Sequence, residues 1–284
     1  MNVISDFDIK AVLEVLKKIR GIDLTGYRQE MIKQRISARM TLLRIQDPRA
    51  YLPLIKDNQH ECDALINEIM INASWFFRDP LVFEIIEQTL LPEILVRKER
   101  QKSGEIRIWS VGCAAGEEAF STAILVHRAM EKGPANINWN PYIFATDIDT
   151  DALEKAKTGV YPRESFESTK LGILDRYFIA HEEGARYEIR SFIKDMVSFS
   201  KDDCTSSSHF APANSVFGTF DMVLCRNVLV YFSPELQKIV LNKINKTITT
   251  GGYLVLGDSE SLTEEIEREF LTLDSRNKIF QKTF

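Results

Sequence analysis

The stretch Glu105–Met130, EIRIWSVGCAAGEEAFSTAILVHRAM, decides the fold. Ile106, Ile108, Ser110 and Val111 lie in a short β-rich run, the pattern of a buried strand. The run stops at Gly112-Cys113-Ala114-Ala115-Gly116. Helical spacing follows at Ala119, Ala123, Leu125, Val126 and Met130. Strand, small-residue turn and helix make the first half of a nucleotide-type βαβ unit. Small residues in such a turn let a ligand approach the backbone closely.

The same turn carries Glu117 and Glu118. A phosphate binder needs free N–H groups or a cation at this place, and two carboxylates would repel a pyrophosphate. An adenosine bearing an amine and a positive sulfur, without phosphate, suits the turn better. That describes S-adenosylmethionine. The pair also complements a helix dipole, worth about 0.3–1 kcal/mol each. From these residues alone both readings stand.

Toward the N-terminus, residues 1–91 read as helical. Val12, Val15, Leu16 and Ile19 mark a first helix stopped by Gly21. A second runs from about Tyr27 to Leu43, with Ile32, Ile36, Met40 and Leu43 as its apolar stripe. Arg28, Arg35 and Arg39 fall within about 40° of each other on a helical wheel. Such a row is either a solvated face or a docking face for an acidic partner. Asp47-Pro48 reads as cap and first-turn proline of a third helix, and Leu65, Ile66, Ile69 and Met70 mark a fourth. INASWFFRDP (71–80) then sets Asn72, Ser74 and Arg78 among aromatics, and an arginine there can clamp a carboxylate. Asp79-Pro80 opens another helix, and the charged run Val96–Ser103 reads as a linker. The expected division is a helical domain over 1–91 and an α/β domain over 92–284.

Toward the C-terminus, Pro141–Asp149 reads as a second buried strand ending in acids. Asp147 is expected to accept ribose hydroxyls, with Asp149 or Thr150 capping the helix that follows. Residues of about 158–195 break the alternation. Arg176–Ala180 and Arg186–Ile193 form a hairpin around Glu182-Glu183-Gly184, a small antiparallel insert on the larger sheet. The insert is either decoration or an edge for a partner peptide. Met196–Ser200 returns to the sheet, and Asp202 or Asp203 beyond it offers a carboxylate to an adenine amino group. In FDMVLCRNVLVYF (220–232) the polar pair Arg226-Asn227 interrupts a buried strand and is expected to line the ligand crevice. The tail, Lys278–Phe284, alternates like an antiparallel edge strand.

The bulk numbers narrow the class. The 284 residues carry a net charge of −5, which argues against a general nucleic-acid binder. The four cysteines form no C-x-x-C pair, so neither a zinc site nor a disulfide scaffold is expected, and a cytoplasmic location fits. The start lacks an apolar signal core, and no run approaches the roughly 18–20 apolar residues of a membrane span.

With these residues in hand, the chain resembles the CheR family of chemotaxis receptor glutamate O-methyltransferases. The matching segments are INASWFFRD, IWSVGCAAGEEAFS, FATDIDTDALEKAKTGVYP, LCRNVLVYF and LVLGDSESL, in family order over nearly the whole chain. The resemblance implies a Rossmann-like class I S-adenosylmethionine-dependent methyltransferase sheet, an N-terminal all-helical domain and a small antiparallel β insert. It implies that Asn72, Ser74 and Arg78 contact the cofactor, Glu117 its amine and Asp147 its ribose. Asp203 and Cys204 then lie on the adenine side, Arg226 and Asn227 line the site, and Tyr231 lies near the transferred methyl, with Arg78 and Tyr231 as catalytic candidates. Arg28, Arg35 and Arg39 correspond to the surface that meets the receptor's cytoplasmic domain. A receptor C-terminal peptide is a further partner for the insert. S-adenosylhomocysteine is the implied product. Met70-Ile71 stand where the family usually has two threonines, and Ser74 and Asp203 also depart from common family residues.

The chemistry needs few groups. A glutamate, with a pKa of about 4.3, is already a carboxylate at pH 7, so no general base is expected. In-line positioning and desolvation carry the rate. Two other classes remain to be separated: a nucleotide-dependent oxidoreductase, told apart by titration with NAD, and a non-catalytic module that senses the cofactor.

Overall fold

The computed structural model describes residues 4–70, 74–206, 211–212, 214–215 and 218–283, without the Phe7 side chain. Its contacts divide the chain into two units. Met1–Asn72 with Tyr231–Lys238 form one, and Ala73–Val230 with Ile239–Phe284 form the other.

Among the described residues, the N-terminal stretch of the first unit holds four helices. In α1 (Asp6–Arg20), Ser5 and Asp8 cap each other reciprocally, and Gly21 closes the end at φ 70°. α2 (Gln29–Leu42) buries Ile32, Ile36 and Met40. It starts two residues later than the apolar pattern suggests, because the backbone of Tyr27 and Arg28 pairs elsewhere. Tyr27 bridges Phe232, and the Arg28 N–H donates to the Tyr231 carbonyl at 2.9 Å. α3 (Pro48–Asp57) has Asp47 as its cap and Pro48 in its first turn, as the sequence predicts. α4 (Gln59–Ile69) buries Cys62, Leu65, Ile66 and Ile69.

The second unit opens with α5 (Pro80–Ile85), a π turn over Ile86–Leu90, and α6 (Leu91–Arg100). Pro92 lacks an N–H and crowds the preceding turn, and a widened turn before it accommodates both effects. The expected linker Val96–Ser103 is helical as far as Arg100. The reason is charge pairing: Arg97 and Lys98 each reach the buried Asp221 at 2.9 Å.

β1 (Glu105–Val111), α7 (Glu117–Lys132), β2 (Asn140–Asp147) and α8 (Thr150–Thr158) follow as expected, with Asp149 capping α8 through the N–H groups of Asp151 and Ala152. The insert contains β3 (Val160–Pro162), α9 (Leu171–Tyr177), β4 (Phe178–His181), β5 (Arg186–Ile189) and α10 (Ser191–Lys194). It forms its own three-stranded sheet, β3-β5-β4, rather than extending the larger one. Arg176 and Tyr177 are helical, so the hairpin begins at Phe178. Phe76 packs beneath it, stacked on Phe166 at 4.7 Å and edge-on to Tyr161 and Phe178.

β6 (Val197–Lys201), β7 (Phe220–Cys225), α11 (Pro234–Thr247), β8 (Ile248–Leu256), α12 (Glu264–Glu267), β9 (Phe270–Asp274) and β10 (Ile279–Lys282) complete the chain. The seven-stranded sheet runs β6-β2-β1-β7-β8-β10-β9. All its pairs are parallel except those of β10. The tail strand is antiparallel as expected, but it is not the edge. β9 lies outside it, joined through a turn in which Asp274 accepts from the N–H groups of Arg276 and Asn277. The strand order reverses between β1 and β7, and ligands of such sheets bind at the carboxyl ends beside that point. Among the described residues, no helix is long and apolar enough to cross a membrane.

Candidate functional site

The loops at the carboxyl ends of the strands build the site. After β1, the turn takes positive φ at Gly112 (65°), Ala114 (48°) and Gly116 (92°). A side chain at Gly116 would meet the Phe199 ring at 2.9 Å and Ala156 at 3.0 Å, so a glycine is required there. The turn is pinned from outside. The Cys113 N–H donates to the Thr146 carbonyl at 2.9 Å, and the Tyr161 hydroxyl donates to the Ala115 carbonyl at 2.7 Å. The Ala114 N–H donates to Asp147 Oδ2 at 2.8 Å.

The two glutamates that open α7 have different tasks. Glu118 accepts from the Ser110 hydroxyl at 2.7 Å and from Arg226 at 3.2 Å, so it ties β1 to the end of β7. Glu117 is 5% exposed, and its Oε2 has no hydrogen-bond partner among the described residues. Burial pushes its carboxyl up to about 7, although the Ser74 hydroxyl donates to it and pulls the other way. A buried acceptor without a donor is the feature an ammonium group satisfies.

Arg226 is buried, and its two terminal nitrogens are engaged in structure, while its Nε has no partner among the described residues. Its guanidinium donates to Asp79 at 2.6 Å, to the Arg78 carbonyl at 3.0 Å and to Glu118 at 3.2 Å, and it lies 5.3 Å over the Phe83 ring. It therefore holds the turn 77–79, in which Phe77 and Asp79 both take positive φ. Arg78 is half-buried and stacks on Trp75 at 4.7 Å. A guanidinium presented on an aromatic face is oriented and partly desolvated.

Asp147, at the end of β2, is buried. Its two oxygens take the N–H groups of Ala114 and Asp149 at 2.8 and 2.9 Å. Burial raises its carboxyl, and the backbone N–H groups of Asp149, Ala114 and Ile148 lower it. These bonds leave part of the carboxylate's acceptor capacity open. After β6, Lys243 of α11 reaches Asp202 at 3.5 Å and the Asp203 carbonyl at 3.4 Å. The Asp203 carboxylate closes a local turn by accepting from the N–H and hydroxyl of Thr205. Cys204 follows it, and burial pushes its thiol up. After β7, Asn227 takes φ 59°, and its N–H donates to Glu260 at 3.1 Å.

The remaining expected residues fall outside the described residues or within the first unit. Asn72 is outside the described residues. Tyr231 belongs to the first unit. So do the three arginines of the basic row. Arg28 stands at the N-cap position of α2 without a side-chain bond to the helix and donates to the Phe232 carbonyl at 3.1 Å, Arg35 pairs with Glu68 at 3.2 Å, and Arg39 pairs with the buried Glu61. The structure adds residues that sequence reasoning passed over: Ser110, Asp79, Lys243 and Glu260. Ser110, Asp79 and Glu260 had a signal, their places within IWSVGCAAGEEAFS, INASWFFRD and LVLGDSESL, and Lys243 had none.

Residues 8–70 match the family model described as CheR methyltransferase, all-alpha domain, and residues 72–279 match CheR methyltransferase, SAM binding domain. The chain is 30% identical over 273 residues to the chemotaxis protein methyltransferase of Escherichia coli, covering 94% of this chain and 88% of that one. It is 25% identical over 273 residues to the protein of that name from Borreliella burgdorferi, covering 95% and 93%. An uncharacterized 104.1 kDa protein of Rhodobacter capsulatus is 31% identical over 272 residues, which are 95% of this chain and 27% of that much longer one.

Proposed function

This chain belongs to the CheR methyltransferase family, and we propose that it methylates glutamate side chains of a methyl-accepting chemotaxis receptor, forming glutamate methyl esters. The substrate follows the relatives named chemotaxis protein methyltransferase. S-adenosylmethionine, the cofactor of the family's binding domain, supplies an electrophilic methyl group on a sulfonium when bound and leaves as S-adenosylhomocysteine.

The observation that carries the cofactor assignment is the orphaned, buried Glu117 Oε2. Its charge and open acceptor suit the methionine amine, with Ser74 orienting the carboxylate. Arg78, on its Trp75 platform, is the cation for the methionine carboxylate. Asp147 has lone pairs left for ribose hydroxyls, and Asp203 with Cys204 forms the adenine side. Asn227 faces the same ligand, while Arg226 supports the site through Arg78 and Asp79. Asn72 and Tyr231 complete the assignment by family resemblance alone. No residue is needed to deprotonate the acceptor, because a receptor glutamate is ionised at pH 7. The chain's work is to hold both reactants in line and exclude water.

Docking is the task of the helical unit. Arg39 is committed to Glu61, which leaves the exposed Arg28 and half-exposed Arg35 to meet an acidic receptor helix. β3 and β4, the outer strands of the small sheet, are edges on which a receptor C-terminal peptide can add a strand. A receptor cytoplasmic domain as substrate puts the enzyme in the cytoplasm.

The test is calorimetry with S-adenosylhomocysteine and NAD, followed by labelled methyl transfer to receptor-enriched membranes and mass spectrometry of the modified peptides. Binding of the homocysteine product, but not of NAD, with label on glutamate, is the expected result. Binding without transfer sinks the enzymatic assignment in favour of a sensor module.

A further inference from the structure

We propose that Glu260 is a positioning residue for cofactor binding: it fastens the loop after β7 to the loop after β8 and so sets Asn227. The proposal rests on the assignment of Asn227 to the cofactor site.

Glu260 is 3% exposed. Its carboxylate collects four backbone N–H groups from two loops. Oε2 accepts from Gly257 at 2.7 Å and Asn227 at 3.1 Å, and Oε1 accepts from Leu229 at 2.7 Å and Val230 at 3.3 Å. A buried carboxylate is costly unless its lone pairs are met, and here all four acceptor directions are used. Charge-assisted bonds of this kind are stronger than neutral ones, so the loop is held firmly.

The loop needs such a hold. Asn227 sits at φ 59°, a left-handed conformation that most side chains disfavour and that asparagine adopts with local hydrogen-bond support. Its N–H is one of the four donors, so the bond to Glu260 fixes the residue in that conformation. The two loops also touch closely. A side chain at Gly257 would meet the Asn227 nitrogen at 2.8 Å, its side-chain amide at 3.0 Å and Glu260 Oε2 at 2.9 Å. Glu260 and Gly257 together thus determine where the Asn227 amide stands. Glutamine cannot replace the carboxylate, because its amide NH₂ would face two of the N–H donors.

The experiment uses full-length wild type, E260Q, E260D and G257A, with S-adenosylhomocysteine calorimetry and initial rates on receptor membranes, below the melting temperature of each variant. In E260Q, Kd for S-adenosylhomocysteine and KM for S-adenosylmethionine should rise about tenfold, the scale of one lost hydrogen bond to the ligand, while kcat stays near wild type. E260D, which keeps the charge on a shorter stem, should fall between. A plain loss of folded protein lowers kcat and leaves KM alone, and that pattern overturns the proposal, as does an unchanged Kd. G257A strains the same contact from the other loop and should raise KM likewise, so the proposal stays testable if E260Q does not fold. Wild type that binds no S-adenosylhomocysteine overturns the functional assignment itself. Wild-type binding with unaltered variants overturns only the role of Glu260.

Discussion

At the scale of single residues, Glu117 is the group whose state reports on function. An unfolded chain holds this carboxyl near 4.5, and the fold raises it to about 7 by burial. Since the folded pKa is the higher one, the folded state binds more protons between those values. Stability from this group is therefore fully present below the unfolded pKa and is lost as pH rises through the folded one, by up to about 3 kcal/mol. Glu117→Gln should remove that loss, so its urea midpoint should exceed wild type at pH 8 and match it near pH 4. The same variant should bind S-adenosylhomocysteine roughly tenfold to a hundredfold more weakly, the worth of a charged hydrogen bond. A bound ammonium favours the ionised carboxylate, so binding near pH 6 should release protons. Calorimetry in buffers of differing ionisation enthalpy measures that release, and its absence would contradict the amine contact. Arg226 makes a different point. Within a buried run an arginine reads equally as ligand or brace, and only the positions of Asp79, Glu118 and the Arg78 carbonyl decide. Arg226→Met should cost about 3–5 kcal/mol in denaturant titration, because two carboxylates lose their partner. A lysine should not rescue it, lacking the guanidinium fork that spans three acceptors.

At the scale of elements, local chemistry was readable where it acts locally. The β1-turn-α7 unit, the Asp47-Pro48 start of α3 and the Asp149 cap of α8 all follow from neighbouring residues. The charged run after Val96 was not readable, since its helix is fastened by Asp221, a residue far along the chain. The arginine row shows the same limit. On a helical wheel Arg35 and Arg39 are equivalent, yet Arg39 pairs with Glu61, which also accepts from the buried Tyr51 hydroxyl at 2.7 Å. Arg39→Ala should leave Glu61 as an uncompensated buried charge and cost about 3–5 kcal/mol. Arg35→Ala breaks a half-exposed pair and should cost under about 1 kcal/mol. A docking test therefore belongs at Arg35. Arg35→Glu should depress receptor methylation while S-adenosylhomocysteine binds as in wild type, and unchanged methylation would remove the docking role.

At the scale of the whole molecule, the strand order β6-β2-β1-β7-β8-β10-β9 and the make-up of the first unit come from pairings that no sequence window contains. The segment Tyr231–Lys238, which includes the first turn of α11, belongs with the N-terminal helices. Its bonds to them are backbone and aromatic: the Ser233 N–H donates to the Gly26 carbonyl at 2.8 Å, and Phe232 meets the Tyr27 ring edge-on at 5.0 Å. Phe232 is 2% exposed and depends on those partners for its burial. One cut in the chain thus cannot separate the units cleanly. Deleting residues 1–70 should strip Phe232 and Leu236 of their cover and remove an anchor from the start of α11. The remaining chain should then melt below the full-length protein and bind a hydrophobic dye. Phe232→Ala in the full chain should lower stability by about 3–5 kcal/mol, the cost of emptying a buried aromatic site. If instead the deleted chain melts at the full-length temperature without dye binding, the segment stands without the N-terminal helices, and the first unit ends within its own stretch of sequence.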